Sequence, residues 1–276
     1  MSLKGSVMKI TQEEIAAEYA NAVNGVQAGV VGQTGSAKFA GYSAAEVELV
    51  PEGVAQTSFG CGNPVAFSEV LPGQTVLDLG CGAGMDLILA ARKVGATGKV
   101  IGVDMTPEML TLARQNIARS GLTNVEVRQG KIEALPIESG SVDWVISNCV
   151  INLSPDKQTV FNEIARVLKT GGQMLVSDIV ADNLPLWVRR SGLLTVACAG
   201  GAISEQAYLS GLSQAGFTHH EVIAREYYDA EQMASVALGV LPAFMANRKL
   251  TKQLFARLAK PITTKLWSAR IYARKS

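Results

Sequence analysis

An α/β fold, with a mostly parallel sheet covered by helices on both faces, is predicted by three features of this 276-residue chain. From Thr75 onward, short apolar runs alternate with helical segments, the pattern of strands joined by crossover helices. The first of these units turns through Gly80-Cys81-Gly82-Ala83-Gly84. The punctuation also agrees: Thr106-Pro107-Glu108 opens a helix, Ser120-Gly121 stops it, and Thr170-Gly171-Gly172 stops the next.

In chain order, a helix is expected over 11–23, then a Gly- and Ala-rich stretch and a turn at Gly41-Tyr42-Ser43. Strands follow at 75–79, 99–104, 124–129, 142–147 and 173–178, with helices at 85–94, 107–119 and 155–168. Ser154 is the expected cap of the last helix and Pro155 lies in its first turn. Residues 182–203 break the alternation. A helix resumes at Ser204 and ends at Gly216, and 219–226 and 266–273 read as the final strands. Between those strands lies a helical, partly apolar insertion. The chain thus divides into an N-terminal helix and covering segment (8–64), a cofactor-binding core (65–225) and a helical insertion with the last strand (226–276).

Composition narrows the function classes. With 48% hydrophobic and 18% charged residues the chain can bury a full core, and a net charge of +1 gives no general pull toward nucleic acid. The segment 232–247 contains Pro242 and falls short of the roughly 20 residues of a membrane span. No apolar leader with a small-residue cleavage site is visible, and Met1–Val7 reads as an appended scar before a natural start at Met8. The four cysteines, Cys61, Cys81, Cys149 and Cys198, are not in CxxC spacing, which suits free thiols in a reducing cytoplasm. From Arg248 to the end there are nine Lys or Arg and no acid, with Leu250, Leu254 and Leu258 on one helical face. That segment reads as a solvated basic face over a packed lid, the alternative being contact with an anionic partner.

The glycine turn after the first strand lets backbone approach a ligand closely. Asp104 ends the second strand, where a carboxylate accepts from ribose hydroxyls. Two details favour S-adenosylmethionine over a nicotinamide dinucleotide. The spacing is G-x-G-x-G rather than G-x-G-x-x-G, and Asp78 precedes it, an acid that repels pyrophosphate but suits a cationic amino end. Gly130-Lys131-Ile132-Glu133 offers an apolar side chain and an acceptor for adenine.

This layout resembles the class I S-adenosylmethionine-dependent methyltransferases over about residues 65–225. The resemblance implies a Rossmann-like, seven-stranded sheet with an antiparallel last strand. It also implies cofactor contacts from Asp78, Gly80, Gly82, Asp104, Met105, Ile132, Glu133 and Asn148, with Gly84 completing the turn.

Cys61, Cys149 and Cys198 can converge over the carboxyl edge of the sheet, and a set of three thiolates prefers a soft centre. A buried free cysteine is also a common small hydrophobe, the reading kept for Cys81. Zinc sites usually carry CxxC knuckles, absent here, so trivalent arsenic is the better candidate. His219 and His220 point to opposite faces of a strand and read as ordinary surface or core residues.

The chain resembles the arsenite methyltransferases in four motifs: Phe59-Gly60-Cys61-Gly62-Asn63-Pro64, Gly102 through Met109, Ser147 through Lys157, and Cys198-Ala199-Gly200-Gly201-Ala202. The resemblance implies that Cys61, Cys149 and Cys198 bind arsenic(III) as substrate, and that a thiol reductant of the thioredoxin or glutathione type is a partner. Family members carry a further cysteine upstream of the Tyr-Ser matched by Tyr42-Ser43; Gln33 to Phe39 contains none, so the upstream partner of a disulfide relay is missing. The expected reaction is attack of the arsenic lone pair on the sulfonium methyl, with no general base. Two other readings are a methyltransferase for a small carbon or oxygen nucleophile, such as a quinone precursor, and a non-catalytic metalloid-binding module.

Overall fold

Seven strands, β1 (Thr75–Leu79), β2 (Lys99–Asp104), β3 (Val125–Gln129), β4 (Val142–Asn148), β5 (Leu168–Ala181), β6 (Phe217–Tyr227) and β7 (Leu266–Lys275), form one sheet in the order β3-β2-β1-β4-β5-β7-β6. The computed structural model describes residues 11–27, 41–58, 60–185, 198–229, 257 and 263–276. The expected helical insertion, its basic leucine face, the segment 33–39 and most of the break before Cys198 lie outside the described residues.

β1 to β5 are parallel. β7 runs antiparallel between β5 and β6. Both faces of the central strands are covered, so they are apolar runs rather than alternating ones. Val76, Leu77 and Leu79 of β1 and Val145 and Ile146 of β4 are fully buried.

The helices follow the expected spacing. α1 (Gln12–Gln27) precedes a short α2 (Ala44–Glu48), and α3 (Pro64–Phe67) leads to β1. α4 (Met85–Val94), α5 (Pro107–Ser120), α6 (Lys157–Val167) and α7 (Glu205–Gln214) follow their strands. α2 grows out of the expected turn because Ser43 and Glu46 form a reciprocal capping box.

Several boundaries differ from expectation: β5 spans 168–181 rather than 173–178, and α1 runs to Gln27 rather than to residue 23. α6 begins at Lys157, not at residue 155, and its cap is Asp156, which accepts from the Thr159 N–H. Ser154 instead ends a turn of 3₁₀ helix over Ile151–Leu153, and its hydroxyl donates to Glu133. Thr170-Gly171-Gly172 does not stop α6, which ends at Val167; it lies inside β5. There a bulge separates the pairs Val142–Leu168 and Trp144–Gln173, and Gly171 takes the positive φ (76°) that the bend requires.

The strand order reverses between β1 and β4. Open α/β sheets bind ligands outside the carboxyl ends of the strands at such a point. The ends of β1 and β4 carry Gly80 and Cys149 there.

Candidate active site

An open cleft lies at this switch point. Its floor is the glycine turn. The N–H groups of Gly80 and Cys81 both donate to the Val103 carbonyl at the end of β2, and Gly80 has a φ of 64°. A Cβ on Gly80 would lie 2.4 Å from Val150. A Cβ on Gly82 (φ 51°) would meet no protein atom within 4 Å, because it would project into open space. Asp104 ties the turn to β2: its carboxylate accepts from Gly82 N–H at 3.0 Å and Thr106 N–H at 2.9 Å.

The residues expected at the cofactor are distributed as follows. Asp78, Gly80, Gly82, Asp104, Met105, Ile132, Glu133 and Asn148 line the cleft. Gly84 does not; it is the left-handed N-cap of α4 (φ 91°) and packs on Ala113. Glu133 accepts from Gln12 Nε2 of α1 at 2.7 Å and leaves its other carboxylate oxygen buried without a partner. Asn148 faces the cleft, but its amide binds the loop that carries Cys61.

One end of the cleft is acidic. Asp78 is 2% exposed and its Oδ2 has no hydrogen-bond partner. Asp86, in the first turn of α4, sits close enough to repel it. Burial holds the Asp78 carboxyl well above the usual carboxylate range, with Asp86 and Asp104 adding to the effect. Burial also pushes Asp86 up to about 6, against hydrogen bonds from Tyr42 and Asn148 that favour its ionised form. Such a pair invites a cation. A sulfonium and an ammonium group fit this end, the space over Gly82 admits a ligand, and the residues present fit S-adenosylmethionine.

The sulfurs lie next to this end, across the Asn148 side chain. Cys61 and Cys149 are joined by a disulfide, with Cα atoms 5.8 Å apart. This corrects the expectation of free thiols, which holds only for Cys81 and Cys198. It also makes Cys149 a redox partner, of Cys61 rather than of an upstream cysteine. The pairing rests on how the loop before α3 docks. Gly60 and Gly62 press it against Asn148 and Ser177, where added Cβ atoms would come within 2.2 Å and 2.4 Å respectively. Cys149 has a positive φ (60°), uncommon for a residue with a Cβ, and its N–H donates to the Ser177 carbonyl at 2.8 Å.

Cys198 is buried in the same apolar cluster as Cys149, with Cys61 packed against it. It also has a positive φ (61°), and its thiol donates to the Cys149 carbonyl at 2.9 Å. Burial pushes the Cys198 thiol up and the charge of Asp178 adds to that, while a hydrogen bond with Tyr19 and the charge of Lys157 oppose it. Among the described residues no three His, Cys, Asp or Glu side chains form an open cation site. The three predicted sulfurs are thus brought together, but not as three thiolates.

Several residues of the site escape the sequence reading. Tyr42 donates to Asp86 at 2.7 Å from 44 positions upstream. Asp178 on β5, pushed up to about 7 by burial, accepts from Asn152 Nδ2 at 2.8 Å close to Cys198. Tyr19 reaches Cys198 from α1. Only Asp86 carries a local signal: an acid in the helical turn that follows the glycines.

A family model described as a methyltransferase domain matches residues 71–216. An arsenite methyltransferase of Halobacterium salinarum is 46% identical over 187 residues, covering 67% of this chain and 48% of that protein. One from Aquipseudomonas alcaligenes is 40% identical over 184 residues, covering 64% and 52%. The chain therefore spans about half the length of these relatives. The crystal structure of CrArsM, an arsenic(III) S-adenosylmethionine methyltransferase from Chlamydomonas reinhardtii, superposes with a TM-score of 0.64 at 34% identity, covering 83% of this chain and 71% of that one. With the glycine turn, the seven-stranded order and these matches together, the chain belongs to the arsenite methyltransferase family, whose fold is that of the class I S-adenosylmethionine-dependent methyltransferases.

Proposed function

We propose that this protein methylates trivalent arsenic held by Cys61, Cys149 and Cys198. The observation that carries the reading is the gathering of those three residues, 88 and 49 positions apart in sequence, in one patch beside the cofactor cleft. S-adenosylmethionine, when bound, supplies an electrophilic methyl group on a sulfonium.

Asp78 and Asp86 would face its cationic end and Asp104 its ribose. Ile132 and Glu133 would flank its adenine. The residues of 65–225 form the cofactor-binding core in this reading, and 8–64 cover it. The cysteine patch holds arsenic with its lone pair free. A lone-pair nucleophile carries no proton to remove, so the site needs no general base. Holding the two reactants in line supplies about 7–11 kcal/mol in well-oriented systems.

The ligand set requires the reduced form. The Cys61–Cys149 bond takes up two electrons and two protons to give two thiols, and a dithiol partner of the thioredoxin type, or two molecules of a glutathione-type thiol, is oxidised to a disulfide in return. The three thiols then exchange with the hydroxide ligands of arsenite, each sulfur forming a bond to arsenic as its proton leaves with the displaced hydroxide as water. This chemistry belongs to a reducing compartment such as the cytoplasm. No helix among the described residues is long and apolar enough to cross a membrane.

The test is to incubate reduced protein with methyl-labelled S-adenosylmethionine and either arsenite or a demethylated quinone, then to identify the labelled product. Labelled methylarsenic supports the reading. Label on the quinone alone favours a methyltransferase for a small carbon or oxygen nucleophile. Arsenic binding without transfer leaves a metalloid-binding module.

A further inference from the structure

The amide of Asn148 joins the acidic end of the cleft to the disulfide. Its Oδ1 accepts from the N–H groups of Cys61 at 2.9 Å and Gly62 at 3.0 Å. Its Nδ2 donates to the Gly62 carbonyl at 2.6 Å, to the Tyr42 hydroxyl at 3.0 Å and to Asp86 Oδ2 at 3.2 Å. The Cys61 loop is thus held through its backbone by the Asn148 amide on the cleft side, while the Cys61 carbonyl accepts from the hydroxyls of Ser268 at 3.1 Å and Tyr228 at 3.3 Å, with glycine on both sides of Cys61. On the far side Asp86 also accepts from Tyr42 at 2.7 Å. Asp86 and Asn148 both line the cleft, as does Asp78 with its unpartnered buried oxygen. Asp86 thus borders both the open cleft and Asn148, and Asn148 borders the loop of Cys61.

We propose that Asn148 is a positioning residue that couples occupancy of the acidic end of the cleft to the reactivity of the Cys61–Cys149 pair. With a cationic amino acid moiety in place, Asp86 is fixed, Asn148 is fixed with it, and the loop resists the displacement that thiol attack on the disulfide requires. The consequence is an order of events: the pair is reduced while the cleft is empty and guarded while it is filled. This rests on the cofactor half of the proposed function and not on arsenic.

The experiment uses the oxidised protein and S-adenosylhomocysteine. Dithiothreitol reduces the Cys61–Cys149 bond, closing to its own cyclic disulfide, and the rate is followed by mass spectrometry of trapped thiols with and without saturating ligand. Ligand binding is measured on the same samples. In the wild type the ligand is expected to slow reduction at least about five-fold, the lower end of ordinary coupling between sites. Asn148→Ala removes the link at the loop, and Asp86→Asn removes the charge at the other end without touching the loop. At saturation both are expected to bring the ratio close to one. If S-adenosylhomocysteine binds and the rate does not change, or if both variants keep the wild-type ratio, the coupling is overturned and only direct shielding or nothing remains. If it does not bind at all, the cofactor reading falls with it.

Discussion

The Cys198 thiol donates to the backbone carbonyl of Cys149, 2.9 Å away, and both residues adopt left-handed backbone conformations. Such conformations cost roughly 1–2 kcal/mol each in a residue with a Cβ and persist where surrounding packing imposes them. Gly201 provides that packing, since a Cβ there would lie 2.0 Å from the Asn152 carbonyl oxygen. The turn of Cys198 is thereby pressed onto the segment that follows Cys149.

The first prediction tests that contact as a ligand arrangement. Cys198→Ser keeps a donor toward the Cys149 carbonyl and so preserves the local fold, but replaces a soft sulfur with a hard oxygen. Equilibrium dialysis of the reduced protein should show arsenite affinity falling about 100-fold or more, at least the loss caused by removing a supporting residue of a metal site. Binding of S-adenosylhomocysteine should match the wild type. Unchanged arsenite affinity would remove Cys198 from the ligand set.

A second prediction separates two glycines of one turn. Gly82 and Gly84 both have positive φ, so alanine at either strains the backbone by a similar amount, about 1–2 kcal/mol. Their surroundings differ. A methyl on Gly82 enters open cleft, whereas one on Gly84 contacts Ala113 at 3.5 Å, an ordinary van der Waals distance. Thermal unfolding should therefore show comparable losses in Gly82→Ala and Gly84→Ala. Calorimetric titration with S-adenosylhomocysteine should show a large loss of affinity in Gly82→Ala only. Equal losses of affinity would mean that the ligand does not pass over Gly82.

The core was legible because its elements are local. β1, its glycine turn and α4 follow from an apolar run, three glycines and a helical repeat within 20 residues, and the structure keeps those bounds at Thr75–Leu79 and Met85–Val94. The start of α6 was misread because a distant residue decided it: Ser154 is drawn to Glu133, leaving the cap to Asp156. The disulfide was not legible for a related reason. Cys149 is placed by the end of β4, but Cys61 is placed by backbone hydrogen bonds to the Asn148 amide, across 87 residues, and no periodicity encodes that docking. Tyr42 and Asp178 belong to the same class. Each is an unremarkable residue in its own segment and acquires a role only through the strand order.

The last prediction concerns Asp178, whose carboxyl burial raises to about 7. An unfolded aspartate titrates near 3.9. Between these values the native state holds a proton that the unfolded state has lost, so stability falls as pH rises through this window. The effect is absent below about pH 4 and complete above about pH 7. Asp86, raised to about 6 by burial, acts in the same direction. In Asp178→Asn the side-chain oxygen can still accept from Asn152 and from the Ile179 N–H, at present 2.8 Å and 3.0 Å from Oδ1, but there is no proton to lose. Urea unfolding at pH 5 and pH 8 should therefore show the variant gaining about 2–3 kcal/mol relative to the wild type between the two pH values. If the wild type and the variant keep a constant difference, Asp178 is ionised across the whole range. The same substitution removes a negative charge beside Cys198, so its thiol should alkylate faster at pH 8 once the protein is reduced. Asp178 would then restrain both the stability of the fold and the ionisation of Cys198.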